Sequence, residues 1–190
     1  MQTTLNLPLI PSEVFFTRGW GNGRSKDISR RLALRAAGIG DYNIVNVDDA
    51  ILPPKCKVIS RFAGLSKLRR GEFIFCVLSC SSDSEPNRLV SSAVGWAWTP
   101  DTEQDGFVSR CALNGQTGIK TGDEAEDLAA TMLASNLGIE FDPEKAWRER
   151  EETYQAAGQD IRTSRLFQSR RCGPDKNIWT TVVTAAVFLM

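Results

Sequence analysis

The chain contains no histidine, so proton transfer in it must fall to Asp, Glu, Lys, Tyr or Cys. Asp48 and Asp49 are adjacent. Two carboxylates side by side in a desolvated loop disfavour each other's ionisation, which raises the pKa of one of them into a range suited to acid or base work. The structural alternative is a plain turn, where aspartates are common. Around the pair no serine or threonine occurs between Ser29 and Ser60, so that stretch has no aliphatic hydroxyl to serve as a nucleophile. The five cysteines, Cys56, Cys76, Cys80, Cys111 and Cys172, lack Cys-x-x-Cys spacing and read as small core or strand residues. With no histidine and no such spacing, no metal site is expected. Gly19-Trp20-Gly21-Asn22-Gly23 precedes a helix, yet its spacing fits neither the P-loop nor the dinucleotide fingerprint, and it reads as a glycine-rich turn.

The elements that position these residues follow from periodicity. A helix is expected over 26–37, capped by Ser25 and stopped at Gly38. A second is expected over 122–137, with Thr121 and Glu124 as a capping box and an apolar stripe from Ala125 through Leu133 to Leu137. A third is expected from Asp142-Pro143 to Gly158. Strands are expected at Tyr42–Val47, Val58–Phe62, Glu72–Cys80, Leu89–Trp98, Phe107–Leu113, Arg162–Gln168 and Ile178–Phe188, the last nearly continuous in apolar or β-branched residues, as a central strand would be. The tryptophans of Trp96-Ala97-Trp98 and Trp179 are read as packing on a sheet face. Strands outnumber helices and do not alternate with them, which favours α+β, with helices layered on a mostly antiparallel sheet.

The 190 residues are 42% hydrophobic and 24% charged, enough for one domain over 1–190 with one substantial core. The 23 basic and 23 acidic residues balance, so no net charge draws the chain to nucleic acid or an anionic membrane. No basic segment followed by an apolar run opens the sequence, and a reducing cytoplasm is the expected compartment.

Ala37-Gly38-Ile39-Gly40-Asp41-Tyr42-Asn43, Ile51-Leu52-Pro53-Pro54, the block Ala125–Ala134 and Trp179–Val183 with Ala185–Leu189 closely resemble the pyruvoyl-dependent arginine decarboxylases, the bacterial branch above all, over roughly 7–189. The resemblance implies a homotrimer with sites in the clefts between subunits. In that family a Ser-Ser pair precedes Ile-Leu-Pro-Pro, and its second serine becomes the pyruvoyl cofactor. Here Asp48-Asp49-Ala50 hold the place, with one residue more than the family pattern. Arg31 stands where the family has an acid that pairs with the substrate guanidinium. Arg110, after Gly106-Phe107-Val108-Ser109, stands where the family has a proton-donating glutamate. Asn43 matches the asparagine that assists self-cleavage.

These departures lead to the expectation of an uncut chain without a pyruvoyl cofactor, repurposed in specialised metabolism for cyclisation, isomerisation or elimination of a small, carboxylate-bearing substrate. Asp48, Asp49 and Arg110 would be catalytic, and Arg31, Asn43, Ala50 and Ser109 would line the substrate. Two alternatives remain open. One is an inactive paralogue that senses a metabolite or co-assembles with an active decarboxylase. The other is arginine decarboxylation to agmatine.

Overall fold

The computed structural model describes residues 9–101, 103–140, 155–156 and 159–190. The apolar and β-branched run Trp179–Leu189 forms one strand, antiparallel to Glu13–Gly23 on one side and Phe73–Asp83 on the other, and nearly every residue of it is buried. Its period-2 alternation serves two cores at once. Val183, Ala185 and Val187 face one side, while Ala186 and Phe188 face the other.

In chain order the strands are β1 (Glu13–Gly23), β2 (Asn43–Val47), β3 (Ala50–Leu52), β4 (Lys57–Ile59), β5 (Phe73–Asp83), β6 (Leu89–Trp98), β7 (Gly106–Asn114), β8 (Gln155–Ala156), β9 (Gln159–Asp160), β10 (Arg162–Arg171) and β11 (Trp179–Leu189). They build a five-stranded sheet in the order β2-β5-β11-β1-β4, a four-stranded sheet in the order β10-β6-β7-β3, and the short pair β8-β9. The fold is α+β as expected, but the expected mostly antiparallel sheet is two stacked sheets. The five-stranded one is mixed, with β2 parallel to β5 and β4 parallel to β1. The four-stranded one is antiparallel throughout.

Helix α1 (Lys26–Ala36) lies on the outer face of the five-stranded sheet, α2 (Arg61–Lys67) at its rim, and α3 (Gly118–Asn136) on the outer face of the four-stranded sheet. Ser25 caps α1, accepting from the Ile28 N–H at 3.2 Å. The α3 cap is Thr117 and not Thr121, which is buried and donates to the Thr117 carbonyl at 2.9 Å. Glu126, also buried, ties α3 to β10 by accepting from Thr163 Oγ1 at 2.5 Å and pairing with Arg165. The third expected helix lies largely outside the described residues, and its described residues Gln155 and Ala156 form β8 instead.

The glycine-rich segment proves to be strand, paired in register with β11, and its glycines recur every second residue. A Cβ at Gly19 would lie 2.3 Å from the Ala33 carbonyl oxygen, and one at Gly21 would lie 2.7 Å from the Ala33 nitrogen. From Gly19 to Gly23 one face of β1 is therefore bare backbone, and α1 rests directly on it. Gly19→Ala is expected to force α1 off this face and to destabilise the protein by about 2–3 kcal/mol, as overpacking of a tight contact does. Urea unfolding followed by circular dichroism measures it; an unchanged midpoint would mean that the helix gives way freely.

Candidate functional site

Strand β2 ends at Val47, whose partner on β5 is Val77. The next β5 residue, Leu78, lies beyond that ladder and is almost fully buried, so its peptide groups need other partners. Asn46 Oδ1 accepts from the Leu78 N–H at 2.8 Å, and Arg110 Nη1 donates to the Leu78 carbonyl at 3.1 Å. Arg110 belongs to β7, in the other sheet, and reaches across to make this bond. Its Nε donates to the Asp48 carbonyl at 3.2 Å, and its Nη2 donates to Asp48 Oδ1. One planar guanidinium thus joins the two sheets and the turn between β2 and β3, a task for a fixed fork of donors that a lysine ammonium could not match.

The contacts differ in weight. Asp48 is 83% exposed and Arg110 35% exposed, so their ion pair contributes at most about 1 kcal/mol. The Leu78 carbonyl is buried, and stripping its donor would cost about 1–3 kcal/mol. Asp49 follows Asp48 in the turn. The residue is exposed, yet partial desolvation raises its carboxyl above the ordinary 3.8; the Arg110 guanidinium opposes the rise and the Asp48 charge adds to it. The expected direction is present, although desolvation and not mutual repulsion is its first cause. Ala50 opens β3, pairs with Val108, and packs its methyl group against the core between the sheets.

The other residues singled out in the sequence lie elsewhere. Ser109 is fully buried and turned to the opposite face of β7, donating to the Ala125 carbonyl of α3 at 2.6 Å, so a substrate-lining role is replaced by a sheet-to-helix bond. Asn43 is exposed at the far end of β2, about 16 Å from Asp48 at ~3.3 Å per strand residue, and its Nδ2 donates to the Gly71 carbonyl at 2.7 Å. Arg31 is exposed on α1, in the outer layer, whereas Arg110 extends between the sheets, so a single chain does not bring the two guanidiniums into one cleft. Burial and the nearby Glu124 raise Cys111 to about 11, which leaves it a neutral thiol at physiological pH. Asn46 was signalled by its polar side chain between Val45 and Val47; Leu78, which enters through its backbone, had no such signal.

Among the described residues no helix is long and apolar enough to cross a membrane, and no three potential metal ligands converge.

The chain is therefore a layered α+β sandwich whose polar cluster lies at the turn from β2 to β3. It belongs to the pyruvoyl-dependent arginine decarboxylase family, whose model matches residues 13–190. A probable pyruvoyl-dependent arginine decarboxylase of Chloroherpeton thalassium is 44% identical over 183 residues, covering 96% of this chain and 100% of that protein. Pyruvoyl-dependent arginine decarboxylase 2 of Methanosarcina mazei is 44% identical over 181 residues, 95% of this chain and 98% of its own length. The corresponding Methanococcoides burtonii protein is 41% identical over 182 residues.

This likeness overturns two expectations. Relatives matched from end to end are named as arginine decarboxylases, against the expectation of a repurposed enzyme or of an inactive sensor or assembly partner. They are also named as pyruvoyl-dependent, against the expectation of no cofactor. Residues 48–50 themselves do not fit a pyruvoyl group formed in place from a serine, because they offer two carboxylates and a methyl group, with Asp48 engaged by Arg110 and Ala50 packed on the core.

The difference in weight between the Arg110 contacts is testable. Arg110→Ala is expected to lower stability by about 1–3 kcal/mol and to open the 48–49 turn to proteolysis, whereas Asp48→Asn should cost under about 1 kcal/mol. Equal losses in the two variants would refute this ordering.

Proposed function

We propose that the protein decarboxylates arginine to agmatine, working as a trimer of identical chains. The reading is carried by the full-length likeness to proteins named for that reaction. The ligand is then a small amino acid bearing a carboxylate. The trimer rests on the family resemblance, and large apolar side chains left in water support an assembly: Phe62 is 85% exposed and Phe73 is 69% exposed.

The reaction breaks the bond from Cα to the carboxylate, releases carbon dioxide and places a proton on Cα. Within this chain Asp49 is the proposed proton donor: it is exposed in the turn, open to a substrate, and partial desolvation raises its pKa above that of an ordinary aspartate. Arg110, in the family's proton-donor position, cannot give up a proton at neutral pH, and its donors are directed at Asp48 and Leu78. It acts here as the residue that positions the turn.

Purified protein incubated with arginine is expected to release carbon dioxide and form agmatine, and to sediment at three times the 21.0 kDa chain mass. An intact 21.0 kDa chain in denaturing mass spectrometry that yields no agmatine would overturn the proposal. Asp49→Asn is expected to slow turnover by about a hundredfold or more. Its stability should move the other way. A raised carboxyl pKa contributes stability that is present below the unfolded value and lost as pH rises through the folded one. The asparagine variant should therefore match the parent in acid and melt at an equal or higher temperature at neutral pH. Unchanged turnover would remove Asp49 from the mechanism.

A further inference from the structure

An arginine substrate ends in a planar guanidinium that stays charged at any working pH. On α1 the family's acid for that group is replaced by Arg31, a like charge exposed on the outer layer, so this chain must hold the guanidinium elsewhere. At the open end of the layer between the sheets lies a cavity of about 690 Å³, well inside the range that small molecules occupy. Strand β3 leads to it from the turn at 48–50, and Leu52, the last residue of β3, is part of its wall. Leu52 follows Asp49 by three residues, about 10 Å at ~3.3 Å per strand residue.

The two walls of the cavity differ. Cys56, Lys57 and Val58 form the side next to β4, and Trp96 and Trp98 face them from β6, followed by Asp101. Phe16 covers one face of Trp96, with ring centroids 3.8 Å apart and planes 18° from parallel. On the half-buried Trp98 no second ring and no cation rests among the described residues, so its indole is open to a ligand. The loop that carries Asp101 is fixed from within: Thr99 Oγ1 donates to the Asp101 carbonyl at 3.1 Å, and the Glu103 N–H donates to Asp101 Oδ1 at 3.0 Å. Asp101 has no ion pair among the described residues, whereas Glu103 is taken by Lys55 at 2.8 Å. Burial raises the Cys56 thiol to about 11, so the carboxylate of Asp101 is the negative charge on offer. Lys57, on the opposite wall, balances it in sum, and net charge alone draws in neither sign. What sets the Trp98 wall apart is an indole face and a carboxylate three residues on, a combination that fits a flat cation, since a guanidinium stacks on indole and donates in its own plane to a carboxylate.

We propose that this cavity holds the guanidinium end of arginine and agmatine, stacked on Trp98 and bonded to Asp101, with the other end of the molecule directed back along β3 toward Asp49. The choice of ligand rests on the decarboxylation reading, and binding and turnover test the two separately. Agmatine and hexane-1,6-diamine carry the same two charges on chains of similar length, but only agmatine ends in a flat cation. Titrated into the whole protein and followed by the NMR signals of the tryptophan N–H groups, agmatine is expected to bind saturably and about tenfold more tightly than the diamine. Trp98→Leu should bring the two affinities together and raise the KM for arginine about tenfold, with kcat held within about twofold. Trp98→Phe should keep the preference, and Asp101→Asn should weaken both ligands. That pattern of binding in a protein that forms no agmatine would retain the site and remove the reaction. Agmatine formation with an unchanged KM in Trp98→Leu would retain the reaction and overturn the site, as would equal affinity of the parent protein for the two ligands.

Discussion

Both faces of the five-stranded sheet are committed to packing, and this constraint decides where anything else can happen. Along β11 and β5 one set of alternate residues lies against α1 and the other against the second sheet. The four-stranded sheet is enclosed in the same way, by the first sheet on one side and α3 on the other. The hydroxyls in the middle of the sheets, such as Ser79, Ser92 and Thr184, are buried and bonded within the protein, which leaves strand ends and sheet margins for ligand-facing groups. The turn at 48–50 is one such place, and the cavity between Leu52 and Trp98 is another. β3 has only three residues and runs between them.

The contact of α1 with β1 makes that layering possible at close range. A strand carrying side chains on both faces would hold the helix away; Gly19, Gly21 and Gly23 clear one face over the second half of β1. Gly64 does the same for α2, where a Cβ would lie 2.1 Å from the Phe15 ring. Phe15 is one of the largest fully buried side chains of that core. Helix and sheet are thus fitted by subtraction, which is why these glycines act through the folded packing and not through chain flexibility.

That subtraction also explains what the sequence conveyed and what it hid. β6 and β11 were legible because long runs of apolar and β-branched residues have few other uses, and α1 was legible through Ser25 and Gly38. β1 was hidden because glycines read as a turn when composition is weighed before spacing; their period of two is in fact the imprint of a helix on a strand. α2 was hidden because Val58 to Phe62 has strand composition, whereas Ser60 caps a helix there, accepting from the Ala63 N–H at 3.2 Å. At the site, the adjacency of Asp48 and Asp49 pointed to a shifted carboxyl, but the partial desolvation that is its first cause is a property of the fold. Arg110 read as a lost acid. Its bond to the backbone of Leu78, a residue of no chemical distinction, could not be read from side-chain types at all.

Arg110 and the two aspartates of the turn work as one electrostatic unit. The resemblance places an acid where Arg110 stands, and an acid there beside Asp48 and Asp49 would gather three carboxylates in one turn, each raising the pKa of the others. A guanidinium in that position reverses the sign of the interaction: it pairs with Asp48, moderates the rise at Asp49, and supplies the donor that the Leu78 carbonyl needs. Identity of 41–44% over the whole chain records the retention of the sandwich. Within the turn, Asp48 and Arg110 have to be understood as a pair.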